Sequence, residues 1–290
     1  FRGLRSLNIR LTILKSRTSY QGIKLMSPYS GKDHTFVICA YKNSAYLEGC
    51  VRSLLQQNTA SNVIAVTSTP SEHIRLIMQQ MHIPLFINED GPGIAVDWNY
   101  ALSLVETPLA TIAHQDDIYL NDYTSTMLEY MNGSACPLIF FSNYGELRGN
   151  QTIDRNRLLS TKRKMLWPLR FKSARSSLKI RRAILSFGSP ICCPSVTFNL
   201  TMLQRPIFTV GYKSDLDWQA WERISKLDGS FEYCDRILMR HRIHEDSETS
   251  LLINNDIRTM EDLEMLKLFW PSPIAHFINH FYSKSQSSNQ

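Results

Sequence analysis

The sequence predicts an α/β protein with a mostly parallel sheet flanked by helices. Between residues 35 and 143, apolar runs of about five residues recur, which are strand-length and too short for helices. Segments between them repeat their apolar residues every three or four positions, as amphipathic helices do. Polar residues gather at the carboxyl ends of the runs, where open α/β sheets bind ligands.

Residues 35–40 read as the first buried strand. Leu47, Cys50, Val51, Leu54 and Leu55 follow at helical spacing, with Asn43 or Ser44 placed to cap that helix. Residues 63–66 form a second strand, and Ile74, Ile77, Met78 and Met81 mark a second helix. Residues 84–87 are a third, proline-led strand; the turn Asp90-Gly91-Pro92-Gly93 then precedes a helix through Trp98, Ala101, Leu102 and Val105. Residues 109–113 make the next strand, which closes with His114-Gln115-Asp116-Asp117. A helix through Tyr123, Met127 and Met131 and an apolar strand over residues 137–141 complete this half.

The second half is less regular. Residues 148–182 contain helical patches around Leu158-Leu159 and from Ile180 onward, ended by Gly188-Ser189-Pro190. Residues 194–198 read as a strand, a helix starts near Asp217 with Trp218, Trp221 and Ile224 on one face, and residues 237–244 resemble a strand with alternating polar residues. Residues 255–282 give one or two amphipathic helices, and the Ser/Gln-rich tail from Ser283 is expected to be disordered. The expected divisions are an extension over residues 1–31, two halves over 32–145 and 146–250, and terminal helices with a tail over 251–290.

No stretch approaches the roughly 18 apolar residues of a membrane span. The basic, acid-free residues 1–24 lack the continuous apolar centre of a signal peptide. Six cysteines without C-x-x-C spacing behave as small buried residues of a reducing compartment. The net charge of +6 is concentrated: residues 148–182 hold twelve Lys or Arg against the single acid Asp154, so the remainder is net acidic. Such a stretch, interleaved with Leu158, Trp167 and Phe171, seeks phosphate on a lipid-linked substrate, an anionic membrane surface or nucleic acid. It carries no recognisable nucleic-acid-binding motif, so nucleic acid is not the expected partner.

Asp116 and Asp117 are adjacent carboxylates at the open end of a strand and repel unless a cation lies beside them. A divalent metal carrying a phosphorylated ligand is the commonest such cation. The tetrapeptide alone does not choose between that and a solvated loop leading into the next helix.

Five stretches along residues 33–250 then fall in a telling order. They are the strand and loop through Ala40, Tyr41 and Asn43; Gly91 with Trp98-Asn99-Tyr100-Ala101-Leu102; residues 114–117; Asp215-Leu216-Asp217-Trp218 with Trp221; and Arg242-Ile243-His244 with Ser247 and Thr249. Together they resemble the family 2 glycosyltransferases, whose corresponding stretches read P-T-Y-N, G-x-x-x-A-R-N-x-G, D-x-D, E-D-W-x-x-W and R-I-H-x-x-S-x-S. The chain departs from that pattern in four places. Cys39 or Ala40 replaces the first proline, Thr67-Ser68-Thr69 stands where an Asp-Asp-Gly-Ser strand end is usual, His114 replaces the first acid of D-x-D, and Leu216 replaces the glutamate of E-D.

The resemblance implies a GT-A (Rossmann-like) fold, with a nucleotide-sugar-binding half in residues 32–145 and an acceptor-binding half in 146–250. It implies inverting transfer of a sugar from a nucleotide-diphosphate donor to a saccharide or lipid-linked acceptor. The setting it implies is surface-polysaccharide synthesis at the cytoplasmic face of the plasma membrane, with peripheral contact to anionic lipid. Donor contacts are expected from Ala40, Tyr41, Asn43, Thr67, Asn99, Gln115, Asp116 and Arg242. A Mg²⁺ or Mn²⁺ ion is expected on Asp116, completed by Asp117 or His244, with Asp217 as general base and Asp215 as its substitute. Each role has a plainer competitor. Asp217 suits a helix N-terminus on dipole grounds alone, His244 could be a surface histidine, Arg242 a salt-bridge partner, and Asn99 a packing residue. The rival functions are nucleic-acid binding through the basic stretch and metal-dependent phosphate hydrolysis through Asp116, Asp117 and His244.

Overall fold

A computed structural model describes residues 28–91, 93–244 and 257–287. Its first half follows the predicted alternation: β1 (His34–Ala40), α1 (Leu47–Leu55), β2 (Asn62–Thr67), α2 (Glu72–Gln80), β3 (Leu85–Ile87), α3 (Ile94–Ser103) and β4 (Leu109–His114). There follow β5 (Ile118–Tyr119), α4 (Tyr123–Asn132), β6 (Pro137–Arg148), β7 (Gln151–Ile153), α5 (Arg157–Leu166), a 3-10 turn (Trp167–Arg170), α6 (Lys172–Arg175) and α7 (Leu178–Leu185). The chain continues through β8 (Thr197–Asn199), α8 (Leu216–Ser225), β9 (Ser230–Ile243), α9 (Ile257–Lys267) and α10 (Ser272–Ser287).

The nine strands make one sheet in the order β3-β2-β1-β4-β8-β6-β9-β5, with β7 beside β6. Strands β1 to β4 are parallel, and β8 is antiparallel to both β4 and β6. That double reversal returns β6, and β9 parallel to it, to the direction of β1. Six strands therefore run one way, and β5, β7 and β8 run the other. The expected mostly parallel α/β sheet is the fold observed.

Alternation along β1 explains why both faces are covered. Phe36 and Ile38 enter a core with α1, α2 and α4, whereas Val37 enters the opposite core with α3, α8 and α9. All three side chains are fully buried, which an all-apolar strand between two helix layers requires.

Several elements differ from the sequence reading. Helix α1 begins after Tyr46 rather than being capped by Asn43 or Ser44. Strand β6 extends seven residues beyond Phe141, because it pairs with β9 along its whole length. Strand β9 starts at Ser230, not near Ile237. Pro194, which has no amide hydrogen to give a ladder, lies in a 3-10 turn, and only Thr197–Asn199 remain as strand. Helix α10 runs to Ser287, so the tail read as disordered is helical that far. The N-terminal extension, up to residue 27, lies outside the described residues, as do Ser247 and Thr249.

The terminal helices belong to the main core. Met265 and Leu266 of α9 are fully buried beside Trp218 and Trp221 of α8. Leu266→Ala is expected to cost about 2–5 kcal/mol in a denaturant titration of the whole chain. A change below about 0.5 kcal/mol, the size of ordinary surface substitutions, would mean that the core does not depend on α9.

Candidate active site

The parallel register sets Ala40 level with Thr67, and Cys39 level with His114, at the carboxyl ends of β1, β2 and β4. The loop after β1 is tied down there by its neighbours. Tyr41 N–H donates to Gln115 Oε1 at 2.9 Å, and Gln115 Nε2 donates back to Tyr41 O at 3.0 Å. Lys42, in a left-handed conformation (φ 53°), gives its N–H to Thr69 Oγ1 at 2.7 Å. Thr67 Oγ1 accepts from Thr69 N–H at 3.1 Å. Gln115 and Thr67 thus hold backbone in place at this rim, and Tyr41 and Asn43 belong to the loop so shaped.

Asp116 is the meeting point of three chain segments. Ser44 Oγ donates to its Oδ1 at 2.8 Å, His244 Nε2 lies 3.2 Å from its Oδ2, and Arg242 Nε donates to its carbonyl oxygen at 2.8 Å. The Arg242 guanidinium lies 4.2 Å from the centre of the Tyr46 ring, which also packs 5.2 Å from His244. The terminal nitrogens of Arg242 have no hydrogen-bond partner among the described residues. Its plainer competitor, a salt bridge to a carboxylate, is not made among them.

Asp117 turns the other way. It is fully buried, accepting Arg242 N–H at 2.9 Å and facing His241 Nδ1 at 3.0 Å. Burial opposes charge on His241, but the Asp117 carboxylate, by its charge and hydrogen bond, outweighs it and raises the histidine pKa. His114 stacks on Trp98 at 5.0 Å, its buried Nε2 has no hydrogen-bond partner among the described residues, and burial lowers its pKa, so the ring is neutral at pH 7.

Asp116 and His244 are the two side chains here that could share a metal. No group of three or more His, Cys, Asp or Glu residues converges as a closed cage among the described residues. A half-site of that kind fits a Mg²⁺ or Mn²⁺ ion, which takes one or two protein ligands and completes its shell with water and substrate phosphate. His244 closes the described part of β9's end, directly before the undescribed residues 245–256.

Asp217 sits in the first turn of α8, half-buried, with Trp218 N–H donating to its Oδ1 at 2.6 Å. Burial raises its pKa to about 6, against the opposing charge of Lys162 and the Trp218 hydrogen bond. The Cys192 thiol feels both Asp217 and Asp117, and Lys162 acts on Asp217 and on His241. These groups therefore share one neighbourhood. Asp215 is enclosed; burial first, and then Asp262 and Asp217, push its pKa well above the usual carboxylate range. Three consecutive backbone N–H groups, of Lys213, Ser214 and Asp215, donate to the Glu261 carboxylate at 2.7–3.0 Å. Helix α9 thereby fixes the turn that launches α8.

Asn99 is engaged elsewhere through its side chain. Its amide exchanges two hydrogen bonds with the backbone of Phe208, at 2.7 and 3.0 Å, and so anchors a distant loop on α3. Two positions earlier, Asp97 reaches the end of β2, accepting from Ser68 Oγ at 2.8 Å and from Asn88 Nδ2 at 2.7 Å. It restores a carboxylate near the strand end that Thr67 leaves without one. The sequence reading missed Asp97, His241, Lys162, Glu261 and Asp262. A polar residue amid the apolar face of its helix was the available signal for Asp97; the others are brought in by tertiary packing alone.

The basic stretch is partly neutralised within the fold. Arg148, Arg170, Arg175 and Arg182 pair with Glu146, Asp235, Glu232 and Glu222 at 2.6–3.0 Å. Arg181, almost fully buried, donates to the carbonyls of Gly229 and Leu227. No helix among the described residues is long and apolar enough to cross a membrane.

Residues 35–196 match the family model described as Glycosyl transferase family 2. No curated protein sequence matches the chain. Three similar solved structures cover most of it. S. aureus TarS 1-349 in complex with UDP-GlcNAc is 13% identical, with a TM-score of 0.56, over 85% of this chain and 70% of that one. The mannosyltransferase PcManGT from Pyrobaculum calidifontis, in complex with GDP-Man and Mn²⁺, is 13% identical, with a TM-score of 0.59, over 88% and 70%. Glucosyl-3-phosphoglycerate synthase from Mycobacterium tuberculosis, in complex with Mn²⁺ and UDP-Glc, is 13% identical, with a TM-score of 0.55, over 82% and 80%. The chain spans only 42% of a longer S. aureus TarS chain, at 12% identity and a TM-score of 0.53. At such identities the likeness is one of fold.

Proposed function

Since the chain belongs to glycosyl transferase family 2, whose model matches more than half of its residues, we propose that it transfers a sugar with inversion from a nucleotide-diphosphate donor. The observation that carries this reading is the convergence of the Asp116 carboxylate, His244 and the open guanidinium of Arg242 at the carboxyl ends of parallel strands. The donors and Mn²⁺ bound by the similar structures support it as analogy.

In this reading Asp116 and His244 hold a Mg²⁺ or Mn²⁺ ion, while Asp117 orients Arg242 and His241 from within. When bound, the cation supplies positive charge to the leaving diphosphate. Arg242 presents to the same phosphates its terminal nitrogens, which have no hydrogen-bond partner among the described residues. Ala40, Tyr41, Asn43 and Thr67 shape the floor under the nucleotide, with Gln115 pinning the Tyr41 loop. Asp217 accepts the proton of the acceptor hydroxyl. The acceptor oxygen bonds to the anomeric carbon, and the bond from that carbon to the diphosphate oxygen breaks, its electron pair leaving with the nucleotide. A base lifted to about 6 remains ionised at neutral pH yet is basic enough to take that proton. Asp215, whose carboxyl burial and then Asp262 push well above the usual carboxylate range, is the weaker candidate. The acceptor is a saccharide or lipid-linked saccharide of surface-polysaccharide synthesis, met at the cytoplasmic face of the membrane. The exposed Trp167 and Phe171 in the basic stretch support that side of the reading.

Calorimetric titration of UDP and of GDP, with and without Mn²⁺, tests this. Wild type should bind one of them in a metal-dependent way. Asp116→Ala should weaken that binding by at least about tenfold, because even the groups that merely orient a metal ligand are worth about 10–100-fold. Nucleotide binding that ignores the metal, or survives intact in Asp116→Ala, would end the assignment.

A further inference from the structure

Strands β6 and β9 slip register where Ser142-Asn143-Tyr144 passes Cys234 to Met239, and the slip opens a hollow beneath α5 and the 3-10 turn that follows it. The cavity has a volume of about 600 Å³, within the usual range of small-molecule sites. None of its lining residues belongs to the Asp116 cluster.

Its charge is lopsided. Arg155, Arg163, Lys164 and Arg170 line it, against Asp154 and Asp235. Both acids are already engaged: Asp235 with Arg170 at 2.6 Å, and Asp154 with Arg240 from the neighbouring strand. Arg163 spends one N–H on the neutral carbonyl of Tyr144 at 2.9 Å, which leaves its charge uncompensated. Arg155 and Lys164 have no ion-pair partner among the described residues. Three positive side chains thus face one hollow whose two acids are each already paired with another arginine, an arrangement suited to an anion.

The floor is rigid and the rim is aromatic. Tyr233 donates its hydroxyl to Asn143 Oδ1 at 2.8 Å, and Asn143 Nδ2 donates to Asp235 O at 2.6 Å. Trp167, 54% exposed, lines the cavity and meets Phe171, 55% exposed, edge-on at 5.1 Å. An exposed aromatic pair beside a cationic hollow favours a ligand with both an anionic head and an organic body. Arginine forks in that number favour phosphate over a single carboxylate.

We propose that this cavity is a second binding site of the protein, for a phosphate ester, with Arg155, Arg163 and Lys164 on the phosphate and Trp167 against the body that carries it. The proposal does not depend on the sugar-transfer reading. The phosphate can be that of a soluble ester or that of a lipid headgroup. The site is one local hollow, unlike the continuous stripe that tracks a nucleic-acid backbone.

The whole chain is tested in EDTA, which removes any metal from the Asp116 half-site. The probes are glycerol 1-phosphate, vesicles of phosphatidylglycerol, and vesicles of phosphatidylcholine as the neutral control. Wild type should bind at least one phosphate probe and should prefer phosphatidylglycerol to phosphatidylcholine if the source is lipid. Arg155→Gln/Lys164→Gln, two exposed positions whose change leaves the core intact, should bind about tenfold or more weakly, as losing two charged contacts implies. Nucleotide binding with Mn²⁺ should be unchanged in that variant, which separates failure here from failure of the proposed function. Binding of glycerol 1-phosphate assigns the site to soluble esters as well; binding of anionic vesicles alone assigns it to lipid. Absence of binding to every phosphate probe, or equal binding by the double variant, overturns the proposal.

Discussion

Asp217→Asn is expected to lower turnover by about 10²–10⁴-fold, the usual contribution of a positioned general base, while metal-dependent nucleotide binding is retained. The substitution keeps the shape and the acceptor for Trp218 N–H, and it removes only the ability to take a proton. The pH profile supplies an independent readout. Burial lifts the Asp217 carboxyl to about 6, so kcat/KM should climb with pH through about 6 and level off above it. Lys162 opposes that lift, so Lys162→Met should move the rising limb to higher pH. Stability runs the other way. The folded-state value exceeds the 3.8 of the ordinary carboxyl, so the folded chain binds the extra proton between about 4 and 6. This group therefore destabilises the fold above that window and ceases to do so as the pH falls below it. Asp217→Asn should accordingly be no less stable than wild type at pH 7, and lost turnover could not be blamed on unfolding. Full turnover in Asp217→Asn with loss in Asp215→Asn would transfer the role to Asp215, although burial and Asp262 raise that carboxyl well above the usual range.

The parts of the fold visible in the sequence are those fixed by local pattern. Strands β1 and β4 are buried along nearly their whole length and β2 along its second half, so their central residues are mostly apolar and their limits fall within a residue or two of those read. The far half of the sheet obeys different physics. Strand β9 opens Ser230-Phe231-Glu232, and the buried Glu232 is met by Arg175 at 2.9 Å and by the Ser230 hydroxyl; a buried charge breaks the apolar signal that marks a strand. Strand β5, with two residues, is shorter than any periodicity can register, and β8 keeps only three residues at the end of the strand read over 194–198.

Within the site, Asp116 could be singled out because adjacent acids at a strand end are locally odd, and Asp217 through the motif resemblance. Their settings could not. His241 reads as one more polar residue of an alternating strand until the sheet brings it to Asp117, 124 positions away. Glu261 looks like the exposed face of an amphipathic helix, yet it receives three backbone N–H groups from a turn 46 to 48 residues earlier. Asn99 shows the converse: a motif match drew attention to it, and tertiary structure occupies its amide with Phe208.

Asp117→Ala is expected to be the most destabilising substitution in the site, at about 3–5 kcal/mol, the usual cost of removing one partner from a buried charged pair. Asp117 has no solvent exposure, and its oxygens take both the Arg242 N–H and the His241 ring. Alanine leaves a buried backbone donor unsatisfied, worth about 1–3 kcal/mol, and strips His241 of the charge that raises its pKa. Domains are typically stable by about 5–15 kcal/mol, so a loss of this size should show as a large fall in the denaturation midpoint. Asp117→Asn keeps an acceptor for Arg242 N–H and should cost less. Because the folded His241 value lies above the ordinary 6.5, the charged part of the pair is fully present below 6.5 and fades as pH rises through the elevated value. The gap between wild type and Asp117→Asn should therefore narrow at alkaline pH. Function should follow structure here. The carboxylate pins the end of β9 to the corner after β4, so releasing it frees Arg242 and His244, and nucleotide affinity should fall along with stability. The opposite pattern, a stable Asp117→Ala that has lost only its metal-dependent nucleotide binding, would identify Asp117 as a metal ligand and Asp116 as its support.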